Sequence, residues 1–251
     1  MFKFLLTLQY DGSDFHGWID QPNAKTIQGE LNKAIKKVTK DTAFKTISAS
    51  KTDAGVHAVD QKVILKLAFE PKIELFEKAI NKALPETIHI ASIVKVNDDF
   101  NIKNVMYKEY TYTINDHEYN LLTNRFELNW KYAKIDINKL QTIFDLFVGK
   151  HDFKLFSGLN EKDFLNSDIK TVRTIETINV ERTNNRIIIN FKAKGFIRYQ
   201  IRMIVQSALS CYLDKRITQA EIKDKLLGNG DKPPFNAPAK GLKLNKVVFN
   251  S

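Results

Sequence analysis

With 251 residues, 43% of them hydrophobic, the chain can bury one large core or two of ordinary size, which excludes a disordered or fibrous protein. Its single cysteine, Cys211, rules out an intrachain disulfide, its five histidines include no pair at metal-ligand spacing, and no stretch reaches the roughly 18 apolar residues of a membrane helix. Lys and Arg outnumber Asp and Glu by 39 to 29, and the net charge of +10 favours a polyanionic partner such as nucleic acid. Of those cations 32 are Lys and seven are Arg, a bias that codon usage also produces, so charge alone leaves the partner open. The expectation is a soluble protein in a reduced, cytoplasmic setting, with no structural metal and no cofactor.

The first element is a strand. The apolar run of Met1 to Gly12 is too short for a signal peptide and no small-residue cleavage site follows; Phe4, Leu6, Leu8 and Tyr10 alternate instead, predicting a strand over Phe2–Tyr10. A helix is predicted over Ile27–Val38, with Ile27, Leu31, Ala34, Ile35 and Val38 on one face, lysines opposite and Thr26 as its cap. Strand Phe44–Ser48, a tight turn and strand Lys62–Phe69 follow, the last with Val63, Leu65, Leu67 and Phe69 alternating. Pro71 suits the start of a second helix, Ile73–Leu84, whose stripe is Ile73, Phe76, Ile80, Ala83 and Leu84, and strand Ile88–Val96 closes the run. The order βαββαβ is that of a ferredoxin-like unit, an antiparallel sheet with helices on one face.

After Met106 the pattern recurs less cleanly. Strand Tyr107–Ile114, helix Ile137–Phe147, paired strands Thr171–Val180 and Arg186–Ala193, a long helix Phe196–Leu213, a shorter one over Thr218–Leu227 and strand Leu242–Phe249 make a second, distant version of the first half. The stretch GNGDKPPFNAPAKG before the last strand reads as a surface loop. The expected fold class is therefore α+β, with one half over residues 1–105 and another over 106–251.

Five segments carry side chains suited to chemistry. In TDAGVHA, Thr52 to Ala58, Asp53 stands in a turn where Gly55 can supply a positive φ; Asp can organise such a turn by itself, and it can also present a carboxylate to a substrate. YDGSDFHGW, Tyr10 to Trp18, interleaves rings with polar groups, either as a packed loop or as a stacking platform for unpaired bases. YKEYTYTI puts Tyr110 and Tyr112 on one strand face. KGFIRYQIRMIVQSAL sets Arg198 and Arg202 one turn apart on the predicted long helix, where a guanidinium can be a solvated flank or the partner of a carboxylate or phosphate. HDFKLFSG, His151 to Gly158, says little alone.

Taken in this order, with APAKGL at Ala237 to Leu242 and FNIK before YKEYTY, these motifs resemble the TruA family of tRNA pseudouridine synthases over almost the whole chain. The resemblance implies two ferredoxin-like halves sharing a mixed, mainly antiparallel sheet with a basic central cleft. It also implies a homodimer acting on the anticodon stem-loop of tRNA. In that reading Asp53 is the catalytic aspartate, Tyr110 the active-site tyrosine and Arg202 the basic residue paired with the carboxylate, while Arg198 and cleft lysines meet RNA phosphates. The reaction breaks the N1–C1′ bond of uridine, turns the uracil and rejoins it through C5, with no redox change. The carboxylate either attacks C1′ or supports an elimination through a glycal. The base must leave its stack to be reached, and a ring such as Tyr110 can hold it.

The chain departs from the family pattern at three places. Ser50 and Lys51 stand where the family has Gly-Arg, so Lys51 keeps the charge and loses the planar fork; Ile19 and Asp20 replace Gln and a basic residue; Tyr199 and Gln200 replace a common His-Met. Two other readings compete: a non-catalytic RNA-binding protein on the same fold, and an aspartate-dependent glycosidase with Asp60 as its second carboxylate.

Overall fold

The computed structural model describes residues 1–40, 42–160, 162–163 and 169–250. In chain order its elements are β1 (Phe2–Tyr10), α1 (Ile27–Thr39), β2 (Lys45–Ser48), β3 (His57–Leu67), α2 (Ile73–Ala83), β4 (Ile88–Lys95), β5 (Val105–Asn115), β6 (Leu128–Asn129), α3 (Ile137–Phe144), β7 (Gly149–Asp152), β8 (Val172–Thr183), β9 (Arg186–Ala193), α4 (Gln200–Tyr212), α5 (Gln219–Leu226) and β10 (Leu242–Phe249). The class is α+β; β1 to β4 with α1 and α2 run in the order βαββαβ, and among the described residues the rest of the chain runs in the expanded order ββαβββααβ. Two compact units result: one runs through Lys108 and takes back the C-terminal strand from Lys243, and the other covers Glu109–Leu242.

In the first unit the strands lie in the order β4-β1-β3-β10, with β2 also beside β3. β1 pairs antiparallel with β3 and β4, matching Phe4 to Leu65 and Leu6 to Val63, and β10 joins β3 in parallel through Lys243 and Leu244. Alternation decides which side of β1 is buried: Phe4, Leu6, Leu8 and Tyr10 are all inside. Ile27, Leu31, Ala34 and Ile35 bury one face of α1, each fully buried Leu or Ile contributing roughly 1.5–3 kcal/mol. Thr26 caps the helix by accepting from Gly29 N at 3.2 Å, and Lys40 ends it in the left-handed region at φ 57°. α2 packs on α1 and on β4, and Phe76 and Ile80 are its buried residues.

The second unit orders its strands β5-β9-β8-β7, with short β6 parallel to β5. β8 and β9 form a hairpin whose two-residue turn, Asn184-Asn185, takes positive φ at both positions, the geometry that a right-twisted hairpin favours. Asp136 caps α3, accepting from Asn138 N and Lys139 N, and α3 packs against β8 and α4.

Most bounds hold or shift by one to three residues and β6 and β7 were not expected, but two boundaries differ by more and bear on the candidate site. β3 starts at His57, not Lys62, because the end of the TDAGVHA motif pairs with both neighbours, Ala58 with Tyr10 and with Leu244. Val56, His57 and Ala58 are buried in succession, so no period-two pattern marks this part of the strand. α4 starts at Gln200, not Phe196. Tyr199 sits at φ 63°, which no α-helix accommodates, and Ile197 and Gln200 close a turn before it, with Gln200 N donating to Ile197 O and Ile197 N to Gln200 Oε1. Arg198 and Arg202 therefore do not share a helix: Arg202 lies in the first turn of α4 and Arg198 in the turn before it.

Candidate active site

The loop between β2 and β3 presents Asp53, and its backbone is pinned residue by residue. Ala49 N donates to Lys62 O at 2.9 Å, and Lys108 Nζ donates to Ala49 O at 2.6 Å. Gln61, fully buried, accepts from Ser50 N at 3.2 Å and donates to Ser50 O at 2.8 Å. The buried Tyr10 hydroxyl lies 2.8 Å from Thr52 Oγ1. Val56 N closes the turn on Asp53 O at 3.2 Å, and Gly55 takes φ 77°, as the turn requires. Asp53 itself is half-buried and Lys51 is exposed.

The segment Tyr10 to Trp18 forms a saddle for this loop. Trp18 N donates to Thr52 O at 3.0 Å, Gly55 N to Phe15 O at 3.2 Å, and Gly12 N to His57 Nδ1 at 3.1 Å. Gly12 cannot be replaced without moving backbone, since a Cβ there would lie 2.0 Å from Val56 O. Phe15 and Trp18 are buried, Trp18 against Tyr10 with ring centroids 6.2 Å apart. Both rings are packing residues, and the stacking-platform reading of this segment does not hold for them. Asp60 holds Lys62 Nζ at 2.6 Å and accepts from Val247 N at 2.8 Å, contacts that give it a structural role.

The second unit holds Tyr110, Arg198 and Arg202. Tyr110 is buried on β5, edge-on to Phe196 with centroids 5.4 Å apart. Tyr112, two residues on, is fully buried and donates to Pro238 O at 2.9 Å. Burial pushes its phenol far above the usual tyrosine range, against the opposing pull of the Arg202 charge. Arg202 donates from Nε to Ala237 O at 2.8 Å, and Ala237 N returns a bond to Arg202 O at 3.0 Å, so the APAKGL motif is docked on the start of α4. Arg198 is engaged with Gly158 O and, at 2.8 Å, with Asp163. Both guanidiniums approach the ring of Tyr199.

Sequence reasoning missed Gln61 and Lys108, and a signal existed for each. Gln61 continues the core-facing series of Val63, Leu65 and Leu67, where an amide needs internal partners. Lys108 shares the period-two series of Tyr110 and Tyr112; burial pushes its ammonium down to about 8. Among the described residues no group of three or more His, Cys, Asp or Glu is arranged to hold a metal, and no helix is long and apolar enough to cross a membrane.

A family model for tRNA pseudouridine synthase matches residues 7–103 and 143–250. A tRNA pseudouridine synthase A from Mesoplasma florum is 69% identical over the full length of both chains. The chain belongs to the TruA family of tRNA pseudouridine synthases. TruA relatives from Mycoplasma mycoides subsp. mycoides SC and Aquifex aeolicus are 55% and 32% identical, each over 98% of this chain and 97% and 99% of their own. The activity is that of an isomerase.

Proposed function

We propose that Asp53 is the residue that opens the N1–C1′ bond of a uridine in the anticodon stem-loop of tRNA. The C1′–N1 bond breaks, C1′ bonds to C5, the C5 proton leaves to water and N1 gains a proton. The observation that carries this reading is the Asp53 turn, held by the Ser50, Thr52, Gly55 and Val56 backbone, because a side chain borne on a fixed backbone has less freedom to lose on reaching the transition state. Arg202 is assigned to the same reaction as the cation that works with the carboxylate, and Tyr110 as the ring that receives the displaced base. Lys51 and Arg198 are assigned to RNA phosphates; for Arg198 this means exchanging Asp163 for a phosphate oxygen. The active form is a cytoplasmic homodimer, and light scattering reads its mass.

The test uses unmodified tRNA carrying tritium at uracil C5. The wild-type protein is expected to release tritium to water, and Asp53→Asn is expected to bind the same tRNA and release none above background. An unimpaired rate in Asp53→Asn removes the assignment. Salt-sensitive binding by wild type without release favours a non-catalytic RNA-binding protein.

A further inference from the structure

Tyr199 occupies a position that costs the backbone something and gives its ring two cations. Its φ of 63° and ψ of −2° lie in the left-handed region, which a large aromatic residue rarely adopts unless its surroundings hold it there. The surroundings do. Tyr199 O accepts from Met203 N at 2.9 Å, starting α4, and the ring lies on Gly158, where a Cβ would come within 2.3 Å of Tyr199 Cδ2. Gly158 is clamped in turn: its N–H donates to Arg198 O at 2.7 Å and its carbonyl accepts from the Arg198 guanidinium. This gives the HDFKLFSG motif a purpose, since its last glycine is the floor of the slot that holds the ring.

The Arg202 guanidinium carbon lies 5.2 Å from the Tyr199 ring centroid and that of Arg198 lies 5.9 Å away. Arg202 is thus held on one edge by Ala237 O, through Nε, and beside a π-face by Tyr199. We propose that Tyr199 is a positioning residue for Arg202, fixing its guanidinium for the reaction; this rests on the reading that Arg202 acts in turnover. The ring, not the hydroxyl, does the work, because the face of an aromatic ring attracts a cation whether or not it carries a phenol oxygen. The same logic accounts for an aromatic residue at a place where backbone conformation alone favours glycine or asparagine.

The experiment measures tritium release at varied tRNA concentration for Tyr199→Phe, Tyr199→Leu, Gly158→Ala and Arg202→Lys. Tyr199→Phe is expected to stay within about twofold of wild type, while Tyr199→Leu loses about tenfold in kcat with KM for tRNA little changed, the pattern of an interaction that matters in the transition state. Gly158→Ala, which must push the ring from its slot, is expected to show the same kcat-only loss and guards against a Leu variant that fails to fold. Adding Tyr199→Leu to Arg202→Lys is expected to cost little more than Arg202→Lys alone. Arg202→Lys that is slow beside a Tyr199→Leu that is fast overturns the inference and leaves the reading of Arg202 standing. Arg202→Lys with wild-type turnover overturns that reading and the inference with it. Losses in KM that match or exceed those in kcat make Tyr199 a binding contact and also overturn the inference.

Discussion

The Gln61 side chain grips both backbone polar groups of Ser50, accepting from its N–H at 3.2 Å and donating to its carbonyl at 2.8 Å. One amide thereby satisfies a whole peptide position that no strand pairs, three residues before Asp53. The same Nε2 lies 3.4 Å from the Tyr10 hydroxyl, which meets Thr52, so the support reaches the residue next to Asp53.

Gln61→Glu keeps the acceptor for Ser50 N and sets a second oxygen against Ser50 O. Leaving that buried carbonyl unpaired is expected to lower unfolding free energy by about 1–3 kcal/mol. Turnover should fall with it, because the loop's register depends on the clamp. Urea unfolding and tritium release measure the two effects, and a variant unchanged in both would show that the loop holds without Gln61.

Lys108 makes a prediction with a definite sign. Its ammonium is buried and pushed down to about 8, from an ordinary 10.5, so folding disfavours its charged form. The penalty is present in full below about pH 8, shrinks as pH rises toward 10.5, and is absent above that. Lys108→Met removes the penalty together with the Ala49 bond. Its stability relative to wild type is therefore expected to be greatest near neutral pH and to decline as pH rises through the Lys108 range. Urea midpoints along that range decide it, and a difference independent of pH would contradict the burial argument.

Much of this fold was legible because burial follows period. β1, β9 and β10 have the bounds their alternation predicts, and α1 exceeds its expected end by one residue. The start of α4 was misread because a turn can bury residues at helical spacing. Ile197, Ile201 and Ile204 are all inside, yet only the last two are helical, and the sequence offered no mark of the positive φ at Tyr199.

At the candidate site, the turn around Asp53 and its Gly55 were legible, being local. The hooks from Tyr10 and the Trp18 backbone were not, because they come from a segment distant in sequence, and those from Gln61 and Lys108 showed only as polar residues in core-facing series. Charge was the least legible property. Arg182, Arg186, Arg198 and Arg202 all bond to protein groups, so among the arginines the composition overstates what is on offer to phosphate.

Arg182 and Asp116 show what such an arginine does instead. Nη1 and Nη2 donate to the two carboxylate oxygens at 2.8 and 2.7 Å, and Ile135 N also donates to Asp116 at 2.9 Å. Burial alone would raise the Asp116 pKa, but the Arg182 bonds and the Ile135 N–H outweigh it and hold the carboxyl below its usual 3.8. A depressed folded value means that the contribution is complete above pH 3.8 and is lost as pH falls below it toward the folded pKa. Arg182→Ala strands a carboxylate that has no exposed surface, and the expected loss is roughly 3 kcal/mol at neutral pH, the low end for a buried pair because the arginine is partly exposed. The loss should shrink in acid as Asp116 takes up a proton. Adding Asp116→Asn to Arg182→Ala should restore part of the stability, since a neutral amide needs no counter-charge. Urea unfolding of the single and double variants tests the pair. A double variant no more stable than Arg182→Ala would mean that the arginine works through its Ile135 bond and packing, not through the carboxylate.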